Sequence, residues 1–185
     1  MSLTMERCKW CNLKKPLYIK YHDEEWGRPN FEEKYLYEML ILESFQAGLS
    51  WECVLNKRED FRSAYDNFDI DKVCRYDNKK IQELLSNEKL IRNKLKINAS
   101  INNSKIFKEI QNEYGTFYEY LKGFTNDKII YENDKTTSEL SDNISEDLRK
   151  RGMKFIGSTI IYSYLQAIGV IYSHDEECFM NKNGD

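Results

Sequence analysis

The chain has 185 residues, 41% of them hydrophobic, enough for one substantial core or two intimately packed lobes but not for two independent large domains. Its 28 Lys and Arg against 31 Asp and Glu give a net charge of −3, which excludes a polybasic character overall while leaving room for a local basic patch that binds nucleic acid. No apolar run approaches the roughly 20 residues of a membrane span and no signal-peptide core opens the chain, so the expectation is a cytoplasmic protein without a membrane partner. Two prolines and eight glycines leave little punctuation for strands and predict an all-α fold.

Residues 7–29 carry Trp10, Tyr18, Tyr21 and Trp26 in an irregular, weakly periodic segment around Pro16 and Gly27-x-Pro29. Four aromatic rings at this density serve either as core or as walls of a flat pocket for a planar ligand. Asn30 and Glu33 have the spacing of a capping box. From there Leu36, Met39, Leu40 and Ala47 recur at helical intervals towards Gly48, a stop signal. Glu43 falls on the same apolar stripe and is the only charged residue between Met39 and Trp51. An ionised carboxylate in apolar surroundings needs a partner: a distant Arg or Lys, or a cationic or hydrogen-bond-donating ligand.

Trp51 to Ala64 reads as a further helix with Lys57, Arg58 and Arg62 on its polar side. Residues 79–110 read as two helices broken near Glu88-Lys89, with Leu84, Leu85, Leu90 and Ile91 as apolar contacts and Arg92, Lys94 and Lys96 just after the turn. Amides at the start of the second helix, flanked by those cations, form either a phosphate-binding hairpin or a solvated basic face. Glu109 to Gly123 reads as another helix, 124–142 as a polar connection, Ile144 to Arg151 as a helix closed by Gly152, and Phe155 to Tyr172 as a buried helix leading to His174.

The five cysteines, Cys8, Cys11, Cys53, Cys74 and Cys178, are an odd number in a chain without an export signal, which disfavours a disulfide framework. Cys8 and His22, with His174 and Cys178 spaced i, i+4 as on one helix face, offer a tetrahedral zinc shell. Cys8-x-x-Cys11 is a competing pair, redox-active or metal-binding.

Together these blocks resemble one family, 3-methyladenine DNA glycosylase I of the helix-hairpin-helix superfamily. The resemblance runs through Glu6-Arg7-Cys8-x-Trp10, Pro16-Leu17-Tyr18-Ile19-x-Tyr21-His22-Asp23-x-Glu25-Trp26-Gly27, and Leu42-Glu43-x-x-Gln46-Ala47-Gly48-Leu49-Ser50-Trp51 with Leu55-x-Lys57-Arg58. It continues in Ile91-Arg92-x-Lys94-x-Lys96-Ile97 and Lys150-Arg151-Gly152-x-Lys154-Phe155-x-Gly157-x-Thr159, and ends with His174 and Cys178. Dispersed blocks in one order are more specific than any single motif.

The resemblance implies a single two-lobed, all-helical unit over 1–185. Its hairpin lobe would centre on about residues 40–125, and its N- and C-terminal segments would be joined by a structural zinc on Cys8, His22, His174 and Cys178. It implies a monomeric, monofunctional enzyme that hydrolyses the N-glycosidic bond of 3-methyladenine in alkylated double-stranded DNA during base excision repair. Glu43 would then face the flipped base, with Tyr21 and Trp51 as stacking walls and Trp10, Tyr18 and Gln46 around them. Gly48 and Leu49 would form the wedge turn, and Arg92, Lys94 and Lys96 would hold phosphates. Two residues depart from the pattern: Cys11, and Lys89 at a hairpin position where glycine is expected and a positive φ would strain lysine. Other classes consistent with the residues are a zinc-stabilised helical DNA-binding module without catalysis and a thiol-redox protein using Cys8 and Cys11.

Overall fold

The computed structural model describes residues 5–181. The described residues form ten α-helices: α1 (Pro16–Glu24), α2 (Glu33–Gln46), α3 (Trp51–Leu55), α4 (Arg58–Ala64), α5 (Ile70–Val73), α6 (Asn78–Ser86), α7 (Lys94–Tyr114), α8 (Phe117–Thr125), α9 (Glu139–Lys150) and α10 (Ser158–Ala167). The all-α expectation misses one feature, a parallel ladder of two short strands, β1 (Ile130–Tyr131) and β2 (Ile171–Tyr172), with Ile130 opposite Ile171. No helix among the described residues is long and apolar enough to cross a membrane.

The core is built around α2, in which every residue from Leu36 to Phe45 is buried. A helix wrapped on all sides by α3, α7, α8 and α10 has no polar face, so the apolar stripe expected from sequence is in fact a full circumference. The Asn30/Glu33 capping box does not form: the N-cap is Glu32, without a side-chain bond, and the Asn30 side chain accepts from the Glu32 amide. Glu33 caps a different helix. Its carboxylate accepts from the amides of Phe117 (2.8 Å) and Tyr118 (3.1 Å) at the start of α8, and from the Gln111 side chain (2.7 Å).

Several predicted boundaries shift for identifiable reasons. Residues 7–29 are less irregular than expected, since Pro16 opens α1 at a position where its missing N–H costs nothing. The Trp51–Ala64 segment is two helices with Lys57 between them. Gly115, at φ +89°, ends α7 and splits the expected Glu109–Gly123 helix. A Ser138/Ser141 capping box starts α9 before Ile144. The Phe155–Tyr172 segment is helical only over α10, after which Gly169 packs so tightly on the Arg28–Pro29 backbone that any Cβ there would collide with it. The hairpin between α6 and α7 lies where predicted. Lys89 in it does not adopt a positive φ, so lysine at that position carries no strain; its carbonyl accepts from Lys57 Nζ at 2.8 Å.

Arg58, expected on a polar face, is buried instead. Its guanidinium donates to Glu38 of α2 (2.6 Å) and to both oxygens of Glu25 (2.7 and 2.9 Å), and Arg62 reaches the same Glu38 oxygen. This network fastens α4 to α2 and to the end of α1. Arg58→Met is expected to destabilise the fold by about 3 kcal/mol because it leaves Glu38 buried without its closest partner. In urea unfolding, the double variant Arg58→Met/Glu38→Leu should recover most of that loss.

Candidate functional site

The last turns of α2 carry Glu43 and Gln46 into a cavity of about 420 Å³. Tyr18 and Tyr21 enter from α1, Trp10 from the segment before it, Trp26 from the turn after it and Trp51 from the first position of α3. The structure therefore brings together all six side chains expected around the pocket. The rings meet edge-on or tilted: Tyr21 and Trp51 have centroids 5.4 Å apart at 44°, Trp10 and Tyr18 5.4 Å at 76°, and Trp10 and Trp26 4.8 Å at 67°.

Four polar atoms of this lining are buried without a hydrogen-bond partner among the described residues: Glu43 Oε2, Gln46 Oε1, Trp10 Nε1 and Trp51 Nε1. Buried polar groups are almost always paired, so two orphan acceptors and two orphan donors around one cavity mark a place shaped for something else. Glu43 is 2% exposed, and among the described residues no Arg or Lys pairs with it, so the distant-cation reading does not hold. Burial pushes its carboxyl well above the usual carboxylate range. Tyr21 is likewise driven up, by burial first and then by Glu43 beside it.

Trp26, which the residue pattern left open as core or pocket wall and the resemblance did not place around the base, also lines the cavity, whereas nothing in the sequence pointed to the rim. Asp134, Lys135 and Thr136 after β1, Ser163 and Gln166 of α10, and Ser173 and Asp175 after β2 complete the lining. They come from segments about a hundred residues away, and no local pattern marks them. Lys135 is the one cation among these lining residues, and its ammonium is paired with Glu132 at 2.6 Å.

Behind the Trp10–Trp26 wall, Cys8, His22, His174 and Cys178 are all buried, with one ligand atom each, all within 4.8 Å of one another. Cys8 Sγ lies 3.3 Å from His174 Nδ1, and Cys178 Sγ lies 3.4 Å from His22 Nε2. This donor set can hold a metal ion. The i, i+4 spacing of His174 and Cys178 is met on a turn rather than on a helix: the Cys178 amide donates to the Asp175 carbonyl. Cys11 stays outside the cluster, its thiol directed to the Tyr18 carbonyl. His22 Nδ1 is 2.8 Å from Asp23, which Arg7 grips at both oxygens and holds below the usual carboxylate range. Burial, with the His22 ring beside it, holds His174 down at about 4, while burial drives the Cys8 thiol up.

Beyond α2, Gly48 sits at φ +76° in open space and Leu49 is 42% exposed, before Ser50 caps α3 by accepting from the Cys53 amide. Arg92 and Lys94 are exposed at the hairpin. Lys96 is not. It is 7% exposed and its ammonium donates to the carbonyls of Phe45 (2.7 Å) and Ala47 (2.5 Å), so it is no surface contact for phosphate.

A family model described as methyladenine glycosylase matches residues 10–181. The chain is 39% identical over 180 residues to DNA-3-methyladenine glycosylase 1 of Escherichia coli (strain K12), covering 94% of this chain and 96% of that protein. A crystal structure of 3-methyladenine DNA glycosylase I matches with a TM-score of 0.91 at 36% identity, covering 95% of this chain and all of that one. The enzyme of that name from Staphylococcus aureus, solved for the structural basis of its 3-methyladenine recognition, matches at 0.89 with 30% identity, over 94% and 95% of the two chains.

The state of Glu43 can be read from stability. A carboxyl raised in the fold keeps its proton while the unfolded chain, near 4.5, releases it, so the folded state loses stability as pH rises from that value towards the folded one. Urea unfolding of wild type and Glu43→Gln between about pH 5 and about pH 8 should therefore show the variant gaining on wild type with rising pH. A difference independent of pH would mean that Glu43 is ionised at no cost.

Proposed function

Because the chain belongs to the methyladenine glycosylase family, we propose that it is a monofunctional DNA glycosylase that hydrolyses the N-glycosidic bond of 3-methyladenine in alkylated duplex DNA. The observation that carries this reading is the set of unpaired polar atoms, Glu43 foremost, around a cavity walled by Trp and Tyr rings. N3-methylation makes adenine cationic. A flipped cationic base satisfies the buried carboxylate by charge and by hydrogen bonding, and the electron-rich rings of Tyr21 and Trp51 favour the same charge. Gln46, Trp10 and Tyr18 complete the shape, and neutral adenine offers the site hydrogen bonds but no charge to balance the carboxylate.

The charge that identifies the base also makes it a good leaving group. The enzyme needs to extrude the nucleotide, hold the base and admit water to an oxocarbenium-like sugar; Glu43 acts through recognition and electrostatics rather than as a general base. Ionisation of Glu43 and binding of the cation are linked, since each favours the other. Lys135 at the rim is ion-paired with Glu132, so no side chain of the lining offers an unpaired amine for lyase chemistry. Leu49, exposed on the Gly48 turn, is the wedge that fills the duplex as the base leaves, and Arg92 and Lys94 at the hairpin meet phosphates.

We assign zinc to the Cys8, His22, His174 and Cys178 cluster. Sulfur–nitrogen separations of 3.3 to 3.5 Å fit the roughly 3.3–3.8 Å edges of a tetrahedral zinc shell. The Arg7–Asp23–His22 relay orients one imidazole, and the amides of Asp175 and Met180 point at the two sulfurs. When bound, zinc is structural: it joins the N-terminal segment to the stretch after β2 and backs the aromatic wall. This division supports a two-lobed helix-hairpin-helix unit, with a hairpin lobe over about residues 40–125 and a zinc-bearing lobe from the two ends. Residues 1–4 and 182–185 of that unit lie outside the described residues. We further infer a monomer acting on DNA in the cytoplasm.

Chromatography of bases released from methylated duplex DNA tests the function. Wild type should release 3-methyladenine, and Glu43→Gln should do so about a hundredfold more slowly while retaining fold and metal. No release by folded, metal-replete wild type would leave a DNA-binding module. Metal analysis should find about one zinc per chain, reduced in Cys178→Ser, with chelation lowering the melting temperature.

A further inference from the structure

Lys96 occupies the third position of α7, after the Asn93 cap, and its burial is expensive on two counts. Among the described residues no carboxylate pairs with its ammonium, and a cation in the first turn of its own helix opposes that helix's dipole. Its two carbonyl acceptors, Phe45 and Ala47, are groups that the end of α2 leaves without helical partners, and there the dipole has the favourable sign. They bracket Gln46, whose side chain lines the cavity. The same turn continues through Gly48 to Leu49, whose amide folds back on the Gln46 carbonyl at 2.6 Å.

The first half of α7 also holds a second loop. Asn102 donates to the Gly152 carbonyl, and Asn103 both donates to and accepts from the Lys154 backbone. The Phe155 ring of that loop lies 5.8 Å from the Lys96 ammonium. The helix behind the hairpin is thus a platform to which the end of α2 is fastened by one side chain.

We propose that Lys96 is a positioning residue for base extrusion, fastening the last carbonyls of α2, and with them the Gly48–Leu49 turn, to the helix that follows the hairpin. Docking of the hairpin on phosphate and entry of Leu49 into the duplex then share one fixed geometry. The proposal rests on the reading of pocket, hairpin and wedge given above. Displacements of about 1 Å in such arrangements cost about a hundredfold in rate, so a loosened turn is visible kinetically while the pocket still binds its base.

The test compares wild type with Lys96→Met, which keeps the length without charge or donor, and Lys96→Gln, which keeps a donor without charge. Three readings are taken: binding of free 3-methyladenine by tryptophan fluorescence, the fluorescence rise of 2-aminopurine beside a tetrahydrofuran abasic analogue in duplex DNA, and single-turnover release of 3-methyladenine from methylated duplex. In Lys96→Met, free-base affinity should stay within about twofold of wild type while the fluorescence rise and the single-turnover rate each fall at least about tenfold, with Lys96→Gln between. Wild-type extrusion and release in Lys96→Met overturn the proposal, as does an equal loss of all three readings, which would make Lys96 merely structural. If Lys96→Met does not fold, wild-type extrusion by Lys96→Gln overturns it. Should wild type release no base, the 2-aminopurine comparison still decides the role of Lys96, so the proposal and the enzymatic reading fail separately.

Discussion

The fold is organised by a constraint on α2: a helix buried from Leu36 to Phe45 must satisfy every polar group it carries with something other than water. Backbone bonds satisfy its middle. Its C-terminal carbonyls and the Glu38 carboxylate are satisfied by other elements, and the positions of those elements follow. Arg58 and Arg62 draw α4 against Glu38, and Lys96 draws the start of α7 against Phe45 and Ala47. The cation that closes α2 stands at the third position of the helix that follows the hairpin.

The aromatic wall is held from behind by different chemistry. Trp10 contacts Tyr18, Tyr21, His22 and Trp26, so the ring that lines the cavity also packs on an imidazole of the Cys/His cluster. Trp26 packs edge-on against His174, with centroids 4.8 Å apart. Gly27, at φ +75°, brings the backbone so close to His174 that an added Cβ would lie 3.1 Å from Nε2, which fixes the cluster against the end of α1. Two segments separated by some 150 residues of chain therefore meet in one rigid wall, which a pocket needs if it is to discriminate a planar ligand by shape.

How much of this was legible in the sequence depended on the range of the interaction. The cluster of four metal-type residues could be proposed from residue type, since Cys and His are scarce in this chain, yet its helical spacing argument was wrong for His174 and Cys178. Glu43 was legible because a charge in an apolar run is conspicuous. The capping box at Asn30 and Glu33 failed because Glu33 found stronger partners in the amides at the start of α8, a tertiary choice invisible from four residues of sequence. Lys96 was read as a surface cation beside Arg92 and Lys94; its burial depends on which face of α7 meets α2, and neither charge nor spacing encodes that. The rim from the segment after β1 was unreadable for the same reason.

The comparison that gives Glu43 its meaning lies on the same helix. Glu38 and Glu43 are five residues apart on α2 and are 4% and 2% exposed. Around Glu38 the fold supplies two arginines, at 2.6 and 2.8 Å, so a chain with 28 Lys and Arg can bring cations to a buried carboxylate on α2. Around Glu43 the described residues supply none, and the same cavity holds an amide oxygen and two indole nitrogens that are themselves unpartnered. Each such group costs about 1–3 kcal/mol, and the four here are half of the eight buried side-chain polar atoms left unpaired among the described residues. These four surround a single cavity, beside a helix position where the same problem is solved with arginine. A ligand offering both donors and an acceptor would satisfy all four, and a cationic one, such as the purine proposed above, would also favour the ionised carboxylate.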